Sequence, residues 1–187
     1  MKLKEIIKTD LRRLSNKDGF LSFLKWYFFP KGSTFPHDVW LRILCNCKKN
    51  RFKKYTIGLF AYIMERRFSF KYSIFVNSNA DIGPGLKIVH GGGVYLNCEK
   101  IGANFTVYQG VTLGSNGKSN HEKERPIVMD DVCVFANAVV VGRIVLKNKC
   151  IVGANSFVNH DVEEGTIVAG LPAKIIKKDL NRDEYSN

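Results

Sequence analysis

The sequence predicts a mainly β protein, a parallel β-helix of six-residue repeats behind an N-terminal α-helical segment. Three observations carry that reading. Aliphatic residues recur at every sixth position from Val76 onward, charge divides unevenly near residue 73, and the residues before that point follow helical spacing instead of hexads.

The repeat is clearest between residues 128 and 162. Val128, Val134, Val140, Leu146, Val152 and Val158 hold its first position. Four residues after each stand Val132, Ala138, Ile144, Cys150, Ser156 and Val162. Upstream, Val76, Ile82, Ile88 and Val94 keep the same step, and one extra residue then shifts the frame to Ile101, Val107 and Leu113. A period of six fits neither a helix nor a simple two-face strand. Each hexad therefore reads as a short strand whose first residue points inward, followed by a corner that needs a small residue. Ile82-Gly83-Pro84-Gly85, Ile101-Gly102-Ala103-Asn104 and Val152-Gly153-Ala154-Asn155 supply such corners, since Gly and Asn accept positive φ. Stacked hexads bury their aliphatic column coil upon coil. An ordinary β-sandwich would leave the regular spacing to coincidence.

The formal net charge of +12 belongs to the first part of the chain. Residues 1–72 hold 17 Lys and Arg against 5 Asp and Glu, whereas residues 73–187 hold 12 of each. The expected organisation is thus a basic helical segment over 1–72, a β-helix over 73–178 and a polar tail over 179–187. Leu3, Ile6, Ile7, Leu11 and Leu14 follow helix spacing, with Lys and Arg between them. A second helical run covers Val39 to Leu44, with Asp38 placed to cap it. A third, Tyr55 to Met64, is too short to span a bilayer. Phe20, Phe23, Trp26, Tyr27, Phe28 and Phe29 add an aromatic cluster. Such a segment can lie on an anionic membrane surface, or its aromatics can pack on the β-helix or another subunit while its lysines are solvated. Nucleic acid is not expected as a partner, because no recognised motif accompanies the charge.

Met1-Lys2-Leu3-Lys4-Glu5 leads into an amphipathic run, so no secretory signal is expected. The five cysteines lack zinc spacing, and Cys98 and Cys150 fall at inward repeat positions. A reduced, cytoplasmic protein follows, peripheral to the inner membrane face if the basic segment binds lipid.

Chemistry is expected where the repeat is disturbed. His90-Gly91-Gly92-Gly93 sets one imidazole in a corner stripped of neighbouring side chains, where a ligand can approach bare backbone. Residues 114–126, Gly-Ser-Asn-Gly-Lys-Ser-Asn-His-Glu-Lys-Glu-Arg-Pro, form a polar excursion between the hexads beginning at Leu113 and Val128. Long loops thrown from one solenoid corner tend to be functional.

From Ile82 to Lys178 the chain resembles the hexapeptide-repeat acyltransferases of the serine acetyltransferase type. The matching pieces are Ile82-Gly83-Pro84-Gly85-Leu86, His90-Gly91-Gly92-Gly93, Gln109-Gly110-Val111-Thr112-Leu113-Gly114, Gly117-Lys118-Ser119 and Ala169-Gly170-Leu171-Pro172-Ala173-Lys174. The resemblance implies a left-handed β-helix, a homotrimer or dimer of trimers, and acetyl-CoA as co-substrate between adjacent subunits, with no metal. It implies that His90 is the general base, taking the proton of an acceptor hydroxyl as that oxygen attacks the thioester; imidazole, which titrates near neutrality, suits that task. It places Gly114, Asn116, Gly117, Lys118 and Arg125 on the acyl-CoA side of the cleft. Gly114 is also a candidate oxyanion donor through its backbone. Ala136, Ala138 and Ala154 match small residues along which pantetheine lies, and Lys174 matches a basic residue that meets CoA phosphates.

Departures from the family pattern bear on the acceptor. Phe75 stands where serine acetyltransferases carry a substrate-binding aspartate, and Glu124-Arg125-Pro126 replaces an Arg-His-Pro whose His contacts substrate. Asn97 and Gln109, the latter followed by Gly110, look more like the colanic-acid and capsule acetyltransferases, and Phe75, Asn97 and Gln109 are the expected acceptor-binding residues. The expectation is an O-acetyltransferase acting on a saccharide hydroxyl in surface-polysaccharide synthesis. Serine O-acetylation in cysteine biosynthesis and a non-catalytic β-helix scaffold are the alternatives. A γ-type carbonic anhydrase is rejected, because His37, His90, His121 and His160 do not repeat by coil.

Overall fold

A computed structural model describes residues 1–17, 19–29, 33–48, 55, 57–117 and 124–178. Lys118, the 118–123 part of the excursion and the expected tail over 179–187 lie outside the described residues.

The hexads wind into a left-handed parallel β-helix of about five coils with three sheets. The first sheet stacks β1 (Ile74–Val76), β4 (Val94–Leu96), β7 (Thr112–Gly114), β10 (Val139–Val141) and β13 (Phe157–Val158). The second holds β2 (Asp81–Ile82), β5 (Lys100–Ile101), β8 (Ile127–Val128) and β11 (Val145–Leu146). The third holds β3 (Lys87–Ile88), β6 (Thr106–Val107), β9 (Cys133–Val134), β12 (Ile151–Val152) and β14 (Ile167–Gly170). It closes with β15 (Ala173–Lys177), which turns back antiparallel on β14. All twelve repeat positions between Val128 and Val162 are buried, at most 6% exposed. The corner residues do what their types allow: Gly85, Asn104 and Asn155 sit at φ 80°, 58° and 55°. Gly102 is required for a second reason, since a Cβ there would lie 2.5 Å from the Met129 carbonyl carbon of the next coil.

Before the first coil come α1 (Leu3–Ser15), α2 (Phe20–Phe28), α3 (Phe35–Lys48) and α4 (Ile57–Tyr72). Phe23, Trp26 and Tyr27 of α2 pack on Leu11, Phe35 and Val39, while Phe20, Leu21, Phe28 and Phe29 stay exposed. None of the described helices is long and apolar enough to cross a membrane. The expected role of Asp38 as a helix cap is corrected. Helix α3 begins three residues earlier at Phe35, and the buried Asp38 carboxylate instead accepts from His37 Nδ1 at 3.1 Å and Thr34 Oγ1 at 3.4 Å.

Charged side chains dock the helices on the first coil. Asp10 of α1 accepts from the backbone N–H groups of Gly85 at 2.7 Å and Leu86 at 3.0 Å. Arg42 of α3 grips both oxygens of Asp10, at 2.8 and 3.1 Å, and donates to the Ile82 and Gly83 carbonyls at 2.8 and 2.7 Å.

Candidate functional site

His90 lies at the corner between β3 and β4, exposed, with no side-chain hydrogen bond among the described residues. The glycines after it have separate jobs. A Cβ on Gly91 would come 2.7 Å from the Tyr72 carbonyl oxygen, so only glycine lets the end of α4 close on this corner. The Gly92 N–H then donates to that oxygen at 2.7 Å. Gly92 and Gly93 take φ of 111° and 71°, a region costly for residues with a Cβ.

Backbone hydrogen bonds stack the later corners on this one. Gly110 N–H reaches Gly92 O at 2.8 Å, Asn137 N–H reaches Gln109 O at 3.0 Å, and Asn155 N–H reaches Ala136 O at 2.9 Å. One corner column therefore carries His90, Gln109, Ala136 and Ala154 on successive rungs. Lys174, exposed on β15, pairs in register with Ala169 at the far end. Four rungs at the usual strand spacing put roughly 19 Å between the two ends. The small side chains of Ala136 and Ala154 leave this part of the column open, and Lys174 sets a cation at its far end. Within the column the side-chain oxygen of Gln109 is buried without a hydrogen-bond partner among the described residues.

Ala138 is not part of this surface. It is fully buried in the β-helix core and presents no side chain to a ligand, so its expected contact with pantetheine is corrected to a packing role.

A second group of expected residues gathers at the opposite edge of the first sheet. Asn97 N–H donates to Leu113 O at 2.9 Å, and Gly142 N–H donates to Gly114 O at 3.0 Å. Asn116 lies beside Gly142, Gly117 turns at φ 78°, and Arg125 Nη1 stands 3.5 Å from Asn97 Oδ1. The four residues of chain from Gly93 to Asn97 separate the two edges by roughly 13 Å. One chain thus brings Asn97, Gly114, Asn116, Gly117 and Arg125 together, but not with His90.

Phe75 sits between these edges, stacked on Tyr95 with ring centroids 5.0 Å apart and meeting Phe70 edge-on at 5.8 Å. Together with Asn97 it lines a cavity of about 280 Å³ roofed by α4. Sequence reasoning missed the rest of this cavity, notably Glu65, Arg66 and Asn77. Asn77 was findable, because it donates to Asn97 from the matching position of the preceding coil, 3.1 Å away. Glu65 left a weaker signal: one of five acids in a segment of 17 bases.

Three of the five thiols are poor candidates for chemistry. Burial pushes Cys98 and Cys150 up to about 12 and Cys133 to about 11, so none is a thiolate near neutral pH.

No protein-family model matches the sequence. The chain is 36% identical over 148 residues to a serine acetyltransferase of Staphylococcus xylosus and 34% identical over 148 residues to one of Staphylococcus epidermidis. Each match takes in 78% of this chain; the chain spans 66% of the first relative's length, just under two-thirds, and 67% of the second's. Among solved structures, a Brucella abortus serine acetyltransferase in complex with coenzyme A superposes with a TM-score of 0.76 at 26% identity, covering 93% of this chain and 67% of that one. A Neisseria gonorrhoeae serine acetyltransferase in complex with serine superposes with a TM-score of 0.70 at 28% identity, covering 92% and 68%.

These relatives overturn the expected saccharide acceptor, the place in polysaccharide synthesis and the closer likeness to colanic-acid and capsule enzymes. Phe75 removes one strand carboxylate, but α4 contributes an acid, Glu65, to the lining of the same cavity.

Proposed function

This chain belongs to the serine acetyltransferase family of hexapeptide-repeat proteins, and from that premise we propose that it transfers the acetyl group of acetyl-CoA to the hydroxyl of serine. The observation that supports this most directly is the corner column. An exposed imidazole in a glycine corner stands at one end, small residues follow, and a lysine closes the other. Ala136 and Ala154 leave room for a pantetheine arm, and Lys174 offers a cation to its phosphates. In this reading His90 removes the proton from the acceptor hydroxyl as that oxygen attacks the thioester carbonyl. Backbone N–H groups steady the developing oxyanion. The imidazolium of His90 then returns the proton to the departing sulfur, which leaves His90 ready for another turnover. Attack is direct, in keeping with thiols that burial holds protonated.

The two edges of the first sheet support a homotrimer as the working form. Asn97, Gly114, Asn116, Gly117 and Arg125 on one chain would complete the cleft begun by His90 on a neighbour, since within one chain they stand apart. Lys118 belongs with this group by sequence order. We place the reaction in the cytoplasm, in keeping with five free thiols.

The test is His90→Ala, assayed by thiol release from acetyl-CoA with serine as acceptor. The expected outcome is a folded trimer that binds CoA normally and loses about 10²–10⁴ in kcat. Unchanged turnover would remove His90 from the reaction, and a wild-type protein inert toward serine would overturn the reading as a whole.

A further inference from the structure

Five ionisable side chains are buried between the helices and the first coil, and their charges do not balance. Asp10 and Arg42 pair with each other. That leaves one imidazole, His37, between two carboxylates. Its Nδ1 is 3.1 Å from Asp38, while its Nε2 is 3.8 Å from Glu65 and makes no hydrogen bond. A protonated His37 would satisfy Asp38 and still leave one negative charge in the group. Among the described residues, Glu65 receives one hydrogen bond, from the neutral Ser69 hydroxyl at 2.7 Å. The residue is 5% exposed and lines the 280 Å³ cavity beside Phe75 and Tyr95. A carboxylate withdrawn from water without a cation is costly, and a ligand bringing an ammonium would remove that cost.

The rest of the cavity fits an amino acid. The stacked rings of Phe75 and Tyr95 give an apolar wall. Arg66, next to Glu65 on α4, lines the cavity too and offers a partner for a carboxylate. Helix α4 runs from this cavity to the His90 corner, where its last residue, Tyr72, accepts the Gly92 N–H at 2.7 Å. The seven residues from Glu65 to Tyr72 span roughly 10 Å along the helix axis.

We infer that Glu65 is the residue that binds the ammonium group of the amino-acid acceptor, supplying from α4 the negative charge that the strand position at Phe75 lacks. The inference rests on the proposed serine acetylation and makes Glu65 a determinant of acceptor choice.

The experiment compares wild type with Glu65→Gln, which keeps the shape and an oxygen for Ser69 while removing the charge. Two acceptors are used: serine and 3-hydroxypropanoate, which is serine without its amino group. The expected result is a ten- to hundredfold rise in KM for serine, with the KM for acetyl-CoA and the weaker reaction of 3-hydroxypropanoate unchanged. Glu65→Asp, which retains the charge on a shorter arm, should fall between the two and also covers the case in which the glutamine variant fails to fold. A merely structural role would depress both acceptors together. Equal loss on both acceptors in either variant, or a wild-type serine KM in Glu65→Gln, overturns the assignment while leaving serine acetylation standing. Wild-type protein that does not acetylate serine overturns both.

Discussion

The two parts of this chain bury different things. Among the described residues, the β-helix buries an aliphatic column and almost no polar side chain beyond Ser156 and Thr166, and none that is charged. The helical part buries Asp10, His37, Asp38, Arg42 and Glu65, although it has far fewer residues in its core. Backbone accounting explains the contrast. Each coil of a solenoid hydrogen-bonds the next, so the interior coils satisfy themselves and need only apolar filling. The first coil has no coil before it. Its outward groups, Ile82 O, Gly83 O, Gly85 N–H, Leu86 N–H and Ile88 O, are taken instead by Arg42, Asp10 and Thr34. The helical segment thus covers an open β edge with side chains, while β15 covers the opposite end with backbone. A bare edge forces charge into the interior where a repeating stack does not.

The largest expected effect tests that edge. Arg42→Ala strands the Asp10 carboxylate and two carbonyls, and breaking a buried pair of this kind costs about 3–5 kcal/mol of stability. Burial, against the pull of Arg42, pushes the Asp10 carboxyl up to about 6 from its ordinary 3.8. A folded-state value above the unfolded one means that the folded protein takes up the proton more readily, so stability falls as pH rises through this window. In the variant the pull of Arg42 is gone, so the Asp10 carboxyl rises further; it is held neutral at pH 5, and ionising it at pH 8 leaves an anion with no Arg42 to pair it. Urea unfolding of wild type and variant at pH 5 and pH 8 should therefore show the larger loss at pH 8. A loss under about 1 kcal/mol at both would mean that apolar packing, not charge, holds the helices to the coil.

This same contrast decides what the sequence could disclose. The β-helix was legible because its physics is periodic: Val128 through Val158 announce the inward positions, and Asn104 and Asn155 announce the corners. His90 was legible as a break in that period. The helical part has no period to break. Asp38 invited a capping role from its place before Val39, yet it serves a buried pair with His37 because α3 starts at Phe35. Arg42 and Asp10 meet from 32 residues apart, and no local pattern marks them as partners. Phe75 is visible in the repeat frame, but Glu65, which lines the same cavity, comes from a helix with no register to the strands.

A smaller effect is expected inside the repeat. Ile101 is 1% exposed at the centre of the second sheet, between Ile82 and Val128 on the neighbouring coils. Ile101→Val removes one methyl group and leaves the β-branched shape that the strand favours, for an expected loss of about 0.5–1.5 kcal/mol. The loss should not vary between pH 5 and pH 8, since this interior holds no titrating group near that range. A pH-dependent loss would show that the β-helix and the charged helical layer unfold as one coupled unit through this coil.

The smallest effect belongs to the ion pair on the β-helix surface. Lys147 Nζ and Glu163 Oε2 stand 2.6 Å apart, closer than Arg42 and Asp10, yet the two side chains are 44% and 60% exposed. Distance alone would rank this pair first. Water decides otherwise, because both ions keep most of their hydration when separated, and salt screens what attraction remains. The hydrogen bond from Lys147 to Glu163, with the charge of that carboxylate, raises the lysine's affinity for its proton, but at a site this exposed that is no measure of stability. Lys147→Ala should leave the urea midpoint unchanged at physiological salt, with any shift appearing only at low ionic strength. The backbone bonds from Lys147 N–H to Val162 O and from Val162 N–H to Val145 O join the same coils and survive the substitution. A midpoint shift rivalling that of Arg42→Ala would mean that short contact, not burial, sets the worth of a charge pair in this protein, and the contrast between its two regions would fail.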